Sequence, residues 1–259
     1  DLDALNLDGA SAPALLDAAA LLGFNAFNIT HPCKQSVMEH LHELSDAARA
    51  LGAVNCVVIR EDGTFYGDNT DYSGFIAGLK RGLPQVAENP ARLEHVVQLG
   101  AGGAGSATAY ALCRLGVRHL SLFERDAAKA QGLAEQLCGL FPQTRIEVLS
   151  DDEHLIEALL QAQGLVNATP VGMHVHPGMP LSESALNAGV LREGLWVADV
   201  IYLPQQTQLV RAARAAGCEV LTGGYMAVGQ AVDAFRLFTK LEPNAERMAA
   251  HFESLIAAQ

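Results

Sequence analysis

His95-Val96-Val97-Gln98-Leu99, running into Gly100-Ala101-Gly102-Gly103-Ala104-Gly105, is the stretch on which the reading of this chain turns. A short apolar run meets a glycine-rich turn, and a helix follows with Ala107, Tyr110 and Ala111 on one face and Gly116 at its end. The next apolar run, 119–123, ends in Glu124. A GxGxxG pattern alone is a weak signal. Strand before it, helix after it and an acidic residue about 20 positions further on make the context of a dinucleotide fingerprint. Gly100 permits the tight turn, Gly102 lets the backbone approach a pyrophosphate, and Gly105 lets helix and sheet pack closely. The helix N-terminus, with Gly103 and Ala104, then faces the phosphates. Glu124 is placed to accept hydrogen bonds from the adenosine ribose, which favours NAD because a carboxylate repels a 2′-phosphate. Arg125 beside it can pair with such a phosphate, so NADP stays as the alternative. A glycine-rich turn without a ligand is the bland reading.

Downstream the alternation continues: helix 127–140, strand 146–149, helix 155–160, strands 165–168 and 195–200, helix 208–216 and strand 219–221. Six strands separated by helical stretches predict a doubly wound parallel sheet. After Gly223-Gly224 the chain reads as helical to its end, through 226–239 and 245–257. Upstream lies a second α/β segment. It opens with a helix over 12–22, capped by Ser11 and closed by Gly23, and a strand over 24–29 apolar enough to be buried. A helix beginning at Pro32 carries Lys34 in its opening turn, with Val37, Leu41 and Leu44 as its apolar stripe. A short helix over 47–51 and strands 54–59 and 64–67 follow, the two strands joined at Asp62-Gly63, a hairpin signal. Asp68-Asn69-Thr70-Asp71 opens a helix that Gly82 and Pro84 close, and the polar stretch 84–94 is the best linker candidate.

Composition narrows the function. The 259 residues suffice for two domains, and a formal charge of −12 argues against a nucleic-acid partner and an anionic membrane surface. An anionic small molecule remains compatible, because a few local cations outweigh a net field. No apolar run approaches the roughly 18 residues of a membrane span. The Ala- and Leu-rich start, interrupted by Asp8 and Asp17, reads as a helix and not as a signal peptide. Five scattered cysteines without a CxxC pair fit reduced thiols in the cytoplasm. His174 and His176 lack further ligand spacing, so no metal is expected.

A nicotinamide site implies an oxidoreductase, and oxidising an alcohol needs a group to take the hydroxyl proton. Lys34 stands at the positive end of a helix dipole, unfavourable for an ammonium group without a carboxylate partner. Asp71 is the natural partner: both open helices in the same segment and follow small polar residues. Taken alone, Lys34 is an ordinary surface lysine and Asp71 a helix N-cap. Asn55, in a strand otherwise made of Val, Ile and Cys, is either a hydrogen-bonded buried amide or a ligand contact. Cys33 as a nucleophile has no His/Asn arrangement behind it.

These residues resemble the shikimate and quinate dehydrogenase family. Asn28-Ile29-Thr30-His31-Pro32-Cys33-Lys34 is similar to its NxTxPxK motif. Gly52-Ala53-Val54-Asn55, Asn69-Thr70-Asp71, Asn167-Ala168-Thr169-Pro170-Val171-Gly172-Met173, Asp199 to Pro204 and Gly224 to Gln230 resemble its other blocks, in the family's order. The His31-Pro32-Cys33-Lys34-Gln35 form is closer to the quinate/shikimate and shikimate-dehydrogenase-like branches. The resemblance implies a catalytic pair, Lys34 and Asp71, with Thr30, Asn55 and Gln230 on the substrate's ring hydroxyls. It implies that Asn167, Ala168 and Thr169 run past the ribose and nicotinamide, and that Gly224, Tyr225 and Met226 border the nicotinamide ring. It further implies a discontinuous substrate domain, 1–90 with 225–259, around a Rossmann domain at 91–224.

There are two departures. The family's opening strand and its Ser-x-Ser/Thr loop, which holds the substrate carboxylate, have no counterpart in a sequence that starts at Asp1. Phe123-Glu124-Arg125-Asp126 stands where the NADP enzymes have Asn-Arg-Thr, which again favours NAD. Two functions follow as expectations. One is an NAD(P)-dependent alcohol oxidoreductase interconverting shikimate and 3-dehydroshikimate, and quinate with its 3-dehydro form, as a monomer or homodimer. The other is a non-catalytic metabolite sensor on the same fold.

Overall fold

The computed structural model describes residues 11–30 and 33–257. By packing, the chain divides into two compact units, 1–70 with 231–243 and 71–230 with 244–259.

In the first unit, helix α1 (Ala12–Leu21) carries Pro13 in its first turn, and its chain reverses at Gly23, φ +82°. Ser11, expected as the cap, makes no side-chain capping bond there. Strand β1 (Ala26–Asn28) is shorter than expected and only partly buried. A larger departure follows Lys34. Helix α2 (Cys33–Ser36) is a single turn, succeeded by a 3₁₀ turn (Met38–His40) and strand β2 (Glu43–Leu44). The expected apolar stripe does exist, but Leu41 and Leu44 use it on a sheet. A side chain at Gly67 would meet Leu41 Cδ1 at 2.5 Å and Leu44 Cδ2 at 2.9 Å, so the bare glycine makes room for both leucines. His42 N–H donates to Phe65 O (2.9 Å) and Ser45 N–H to Gly67 O (2.9 Å), completing the ladder. Pro32, expected to start the helix, lies outside the described residues. The dipole argument for Lys34 falls with the helix, since one turn carries little macrodipole.

Helix α3 (Asp46–Leu51) is capped by Ser45, whose Oγ accepts from Ala48 N–H (3.0 Å). Strands β3 (Cys56–Ile59) and β4 (Phe65–Asp68) form the expected hairpin, with Gly63 at φ +81°. Among the described residues the sheet order is β1-β3-β4-β2, antiparallel except for the β2–β4 pair. Leu16, Val37, Ala48, Val54, Val57 and Phe65 form its core.

The second unit begins with helix α4 (Asp71–Gly82). The stretch expected as a linker is structured instead: helix α5 (Pro84–Ala87) and a 3₁₀ turn (Pro90–Leu93), with Val86 and Leu93 fully buried. Then come β5 (His95–Leu99), α6 (Gly103–Arg114), β6 (His119–Phe123), α7 (Ala127–Leu140), β7 (Arg145–Val148), α8 (Asp152–Gln161) and β8 (Gly164–Asn167). They are followed by α9 (Glu183–Asn187), β9 (Trp196–Asp199), α10 (Gln208–Ala215) and β10 (Glu219–Leu221). The sheet order is β10-β9-β8-β5-β6-β7 and every neighbouring pair is parallel. This is the doubly wound arrangement the sequence predicts, with its switch point between β5 and β8. Val97, Leu99, Leu159, Leu165, Val197 and Leu209 form one core of this unit. Gly164 has no side chain because the indole of Trp196 occupies that space. Helices α11 (Gly223–Thr239) and α12 (Ala245–Ala257) follow, residues 231–239 of α11 belonging to the first unit.

Candidate active site

The glycine loop sits at the switch point. Gly100, at φ +96°, donates its N–H to Phe123 O (2.8 Å), and a Cβ on it would lie 2.9 Å from the carbonyl carbon of Ala168. The ends of β5 and β8 therefore touch there, backbone to backbone. A Cβ on Gly105 would lie 2.8 Å from the carbonyl carbon of Gly100 and closer still to its oxygen, so α6 rests directly on the turn. Gly102 and Gly103 behave differently. Both are exposed, and a Cβ on either would meet nothing within 4 Å. The open space lies at the N-terminus of a 12-residue helix with no side-chain cap, where free N–H groups and the helix dipole favour an anion. These four glycines thus answer to three different requirements, and together they fit a dinucleotide pyrophosphate.

Glu124 follows directly on β6 and is half-buried; Arg125 is exposed. The Glu124 carboxylate accepts from Ala101 N–H (2.9 Å) and Asp126 N–H (3.2 Å). Each oxygen keeps a lone pair, so the group can still receive ribose hydroxyls. At the end of β8, buried Asn167 is tied by both ends of its amide. Its Oδ1 accepts from Thr169 Oγ1 (2.7 Å) and Thr169 N–H (3.2 Å), and its Nδ2 donates to Asp199 Oδ1 (3.1 Å) and Val171 O (3.3 Å). Asp199 also accepts from Thr207 Oγ1 (2.7 Å) and Ile201 N–H (3.1 Å). Burial raises its carboxyl above the ordinary value while these three donors oppose the shift. Ala168 is buried beside Gly100, and Met226 is buried near the start of α11. A Cβ on Gly224 would come within 2.8 Å of the Phe252 ring and 3.1 Å of Gln205 Nε2.

The residues expected around the substrate fall into two groups. In the first unit one backbone junction gathers Thr30, Lys34 and Asn55. Cys33 N–H donates to Thr30 O (2.9 Å), Val54 N–H to Lys34 O (2.9 Å) and Ile29 N–H to Asn55 O (2.7 Å). Thr30 is exposed, Lys34 half-buried and Asn55 buried. The Asn55 amide engages Thr70: its Nδ2 donates to Thr70 Oγ1 (3.0 Å) and its Oδ1 accepts from Thr70 N–H (2.7 Å). In the second unit Asp71 opens α4, and Gln230 lies on α11 against the next turn of that helix. Gly74, one turn after Asp71, would put a Cβ 2.8 Å from Gln230 Cα, so α4 and α11 pack there with no side chain between them.

Sequence reasoning missed Gln98 and Thr108. Gln98 Nε2 donates to Gly100 O (2.9 Å) and Gly105 O (2.8 Å), while its Oε1 accepts from Thr108 Oγ1 (2.8 Å). The available signal was an amide in an otherwise apolar strand, two residues before the first glycine. Among the described residues no His/Cys/Asp/Glu group could hold a metal, and no helix is long and apolar enough to cross a membrane. None of the five cysteines is in a disulfide.

A doubly wound parallel sheet whose switch point carries this loop and Glu124 defines a dinucleotide-binding protein of the Rossmann type. The particular family comes from comparison with known proteins. Residues 2–57 match the family model for the shikimate dehydrogenase substrate binding domain. A shikimate dehydrogenase (NADP(+)) of Arthrobacter sp. (strain FB24) is 55% identical over 259 residues, covering 100% of this chain and 84% of the relative. A quinate/shikimate dehydrogenase (NAD(+)) of Corynebacterium efficiens is 49% identical over 247 residues, covering 95% of this chain and 83% of the relative. The solved quinate dehydrogenase of Corynebacterium glutamicum, in complex with NAD, superposes with a TM-score of 0.85 at 48% identity, covering 93% and 82% of the two chains. The chain belongs to the shikimate and quinate dehydrogenase family of NAD(P)-dependent oxidoreductases. These names give no support to the sensor reading.

Proposed function

We propose that this chain interconverts shikimate and 3-dehydroshikimate, and quinate with its 3-dehydro form, using NAD in preference to NADP. The observation that carries the reading is the built glycine loop at the switch point, in a chain that also keeps Lys34, Asp71 and Asn55. Gly100, Gly102, Gly103, Ala104 and Gly105 would cradle the pyrophosphate. Glu124 and Arg125 would face the adenosine ribose, and Asn167, Ala168, Thr169, Gly224 and Met226 would border the nicotinamide end. When bound, the dinucleotide supplies the hydride acceptor or donor. Lys34 then receives the hydroxyl proton during oxidation and returns it during reduction. Asp71 supplies the negative charge that the protonated lysine calls for. Thr30, Asn55 and Gln230 hydrogen-bond the ring hydroxyls and set which one reacts. The functional division that goes with this is a substrate part, 1–90 with 225–259, and a dinucleotide part, 91–224. Glu124 supports NAD through repulsion of a 2′-phosphate, although relatives of both specificities occur.

Initial rates at 340 nm with shikimate or quinate, each with NAD or NADP, test substrate and cofactor together. Lys34→Ala is expected to lower kcat by about 10²–10⁴-fold, the usual share of general acid–base catalysis, with the dinucleotide Kd unchanged. A Lys34→Ala protein of undiminished kcat refutes the assignment.

A further inference from the structure

Gln98 lies in β5, in the middle of the parallel sheet, and is completely buried. A glutamine there needs every polar atom satisfied, and the partners it finds belong to the glycine loop. Both of its N–H bonds are used, one on Gly100 O and one on Gly105 O, while its oxygen takes the hydroxyl of Thr108. That pattern also sets the amide's orientation. The reverse assignment would aim Oε1 at two carbonyl oxygens.

The consequence centres on one peptide plane. The Gly100–Ala101 peptide is held at its inner end by Gln98, which takes its C=O, and at its outer end by Glu124, which takes its N–H at 2.9 Å. Gly100 lacks a Cβ and has a positive φ, so its own stereochemistry leaves other peptide orientations open. Turning this plane over would set Ala101 N–H against the Gln98 donor and Gly100 C=O against the Glu124 carboxylate. Both ends would then repel. The second Gln98 bond, to Gly105 O, ties the first turn of α6 to the same point.

We propose that Gln98 is a positioning residue for the dinucleotide. With Glu124 it clamps the Gly100–Ala101 peptide and keeps the loop and the α6 N-terminus in the pyrophosphate-binding arrangement before the ligand arrives. Preorganisation of this kind lowers the ordering cost of binding. The inference rests on the proposed dinucleotide role of the loop. It adds that Glu124 does two jobs, reading the ribose and holding the loop from outside.

The test compares wild type with Gln98→Leu, Thr108→Val and Thr108→Ser. Dinucleotide Kd is read by fluorescence titration, kcat at saturating cofactor in the 340 nm assay, and amide hydrogen exchange over 99–106 in ligand-free protein. Gln98→Leu is expected to raise Kd about tenfold or more, with kcat within about twofold and faster loop exchange. Thr108→Val, which leaves the Gln98 oxygen unpaired, shifts Kd and exchange the same way by a smaller factor. Thr108→Ser restores both. An unchanged Kd in Gln98→Leu and Thr108→Val overturns the proposal, even if both melt earlier, because that would leave Gln98 a purely structural residue. Should Gln98→Leu not fold, Thr108→Val against Thr108→Ser decides by the same criterion. A wild-type protein that binds neither NAD nor NADP overturns the functional reading itself and this inference with it, which distinguishes the two failures.

Discussion

Two glycines three residues apart should separate stability from binding. A Cβ on Gly105 would sit 2.8 Å from the carbonyl carbon of Gly100, a distance that can grow only if backbone moves, because no flexible side chain is involved. Overpacking of this kind costs about 1–3 kcal/mol, and backbone opposition places Gly105→Ala at the upper end. The change also gains about 1 kcal/mol of helix propensity, leaving a net loss of about 2 kcal/mol. In a chain of this size that is a fall in Tm of roughly 4–8 °C. Gly102→Ala starts from the opposite geometry. At φ −74° an alanine is unstrained, and its Cβ meets no protein atom within 4 Å. Loss of the glycine N-cap costs at most about 1 kcal/mol, so the ligand-free protein should melt within about 4 °C of wild type. The same methyl group occupies the space assigned to the pyrophosphate. An overlap of about 1–3 kcal/mol there raises the dinucleotide Kd roughly 5–150-fold.

Thermal unfolding of ligand-free protein and a fluorescence titration with NAD measure both quantities on the same samples. The expected result is a crossed pattern, in which Gly105→Ala has the larger loss of Tm and Gly102→Ala the larger loss of affinity relative to its stability. If Gly102→Ala binds NAD as wild type does, the open space at the α6 N-terminus is not the phosphate site. If Gly105→Ala melts with wild type, the loop yields more easily than its contacts allow.

Acid stability should depend on His95. Burial, with a smaller push from the His119 ring stacked 4.0 Å away, lowers its pKa to about 4, whereas the unfolded chain titrates near 6.5. The neutral ring is thus favoured by folding, and its contribution, at most about 3 kcal/mol, is complete above pH 6.5 and lost as pH falls towards 4. Urea midpoints between pH 7 and 4 should fall more gently in His95→Gln than in wild type, and parallel slopes would contradict this. Arg192 offers a second test. Its guanidinium donates to Leu159 O, Leu160 O and Ala162 O at the C-terminal end of α8, and to Val190 O. Arg192→Ala should cost about 3 kcal/mol in chemical denaturation, and Arg192→Lys should recover only part, because a point ammonium cannot span carbonyls arranged for a planar fork. Full recovery by lysine would show that charge near the helix end is all that matters.

Much of the fold was legible because its signals are local. The doubly wound sheet follows from six apolar runs separated by helical stretches, and the β3–β4 hairpin from Asp62-Gly63, where Gly63 does adopt φ +81°. The misreadings share one cause. Val37, Leu41 and Leu44 satisfy a helical period, yet the last two pack over Gly67 on the sheet, a partner more than 20 residues away. The stretch 84–94 is polar in composition, but Leu93 and Val86 are buried and Trp196 Nε1 donates to Arg92 O (2.9 Å). In each case a residue distant in sequence outweighs the local pattern.

The site divides along the same line. Gly100, Gly102, Gly105 and Glu124, the residues proposed for the dinucleotide, stand out from spacing alone, since the strand, turn and helix that carry them are consecutive. Gln98 could not, because a buried amide has a meaning only once its partners are known, and its partners are backbone carbonyls that carry no sequence signature. The same holds for the Asn167–Asp199–Thr207 chain, in which a carboxylate buried by folding is kept in place by donors 32 and 8 residues away. Residues that touch a ligand leave a pattern in the sequence, because the ligand imposes their spacing. Residues that hold those residues in place do not, and in this protein they are buried polar side chains whose hydrogen bonds are all made within the fold. That is why the clamp on the Gly100–Ala101 peptide emerges from the structure although both flanking motifs were visible without it.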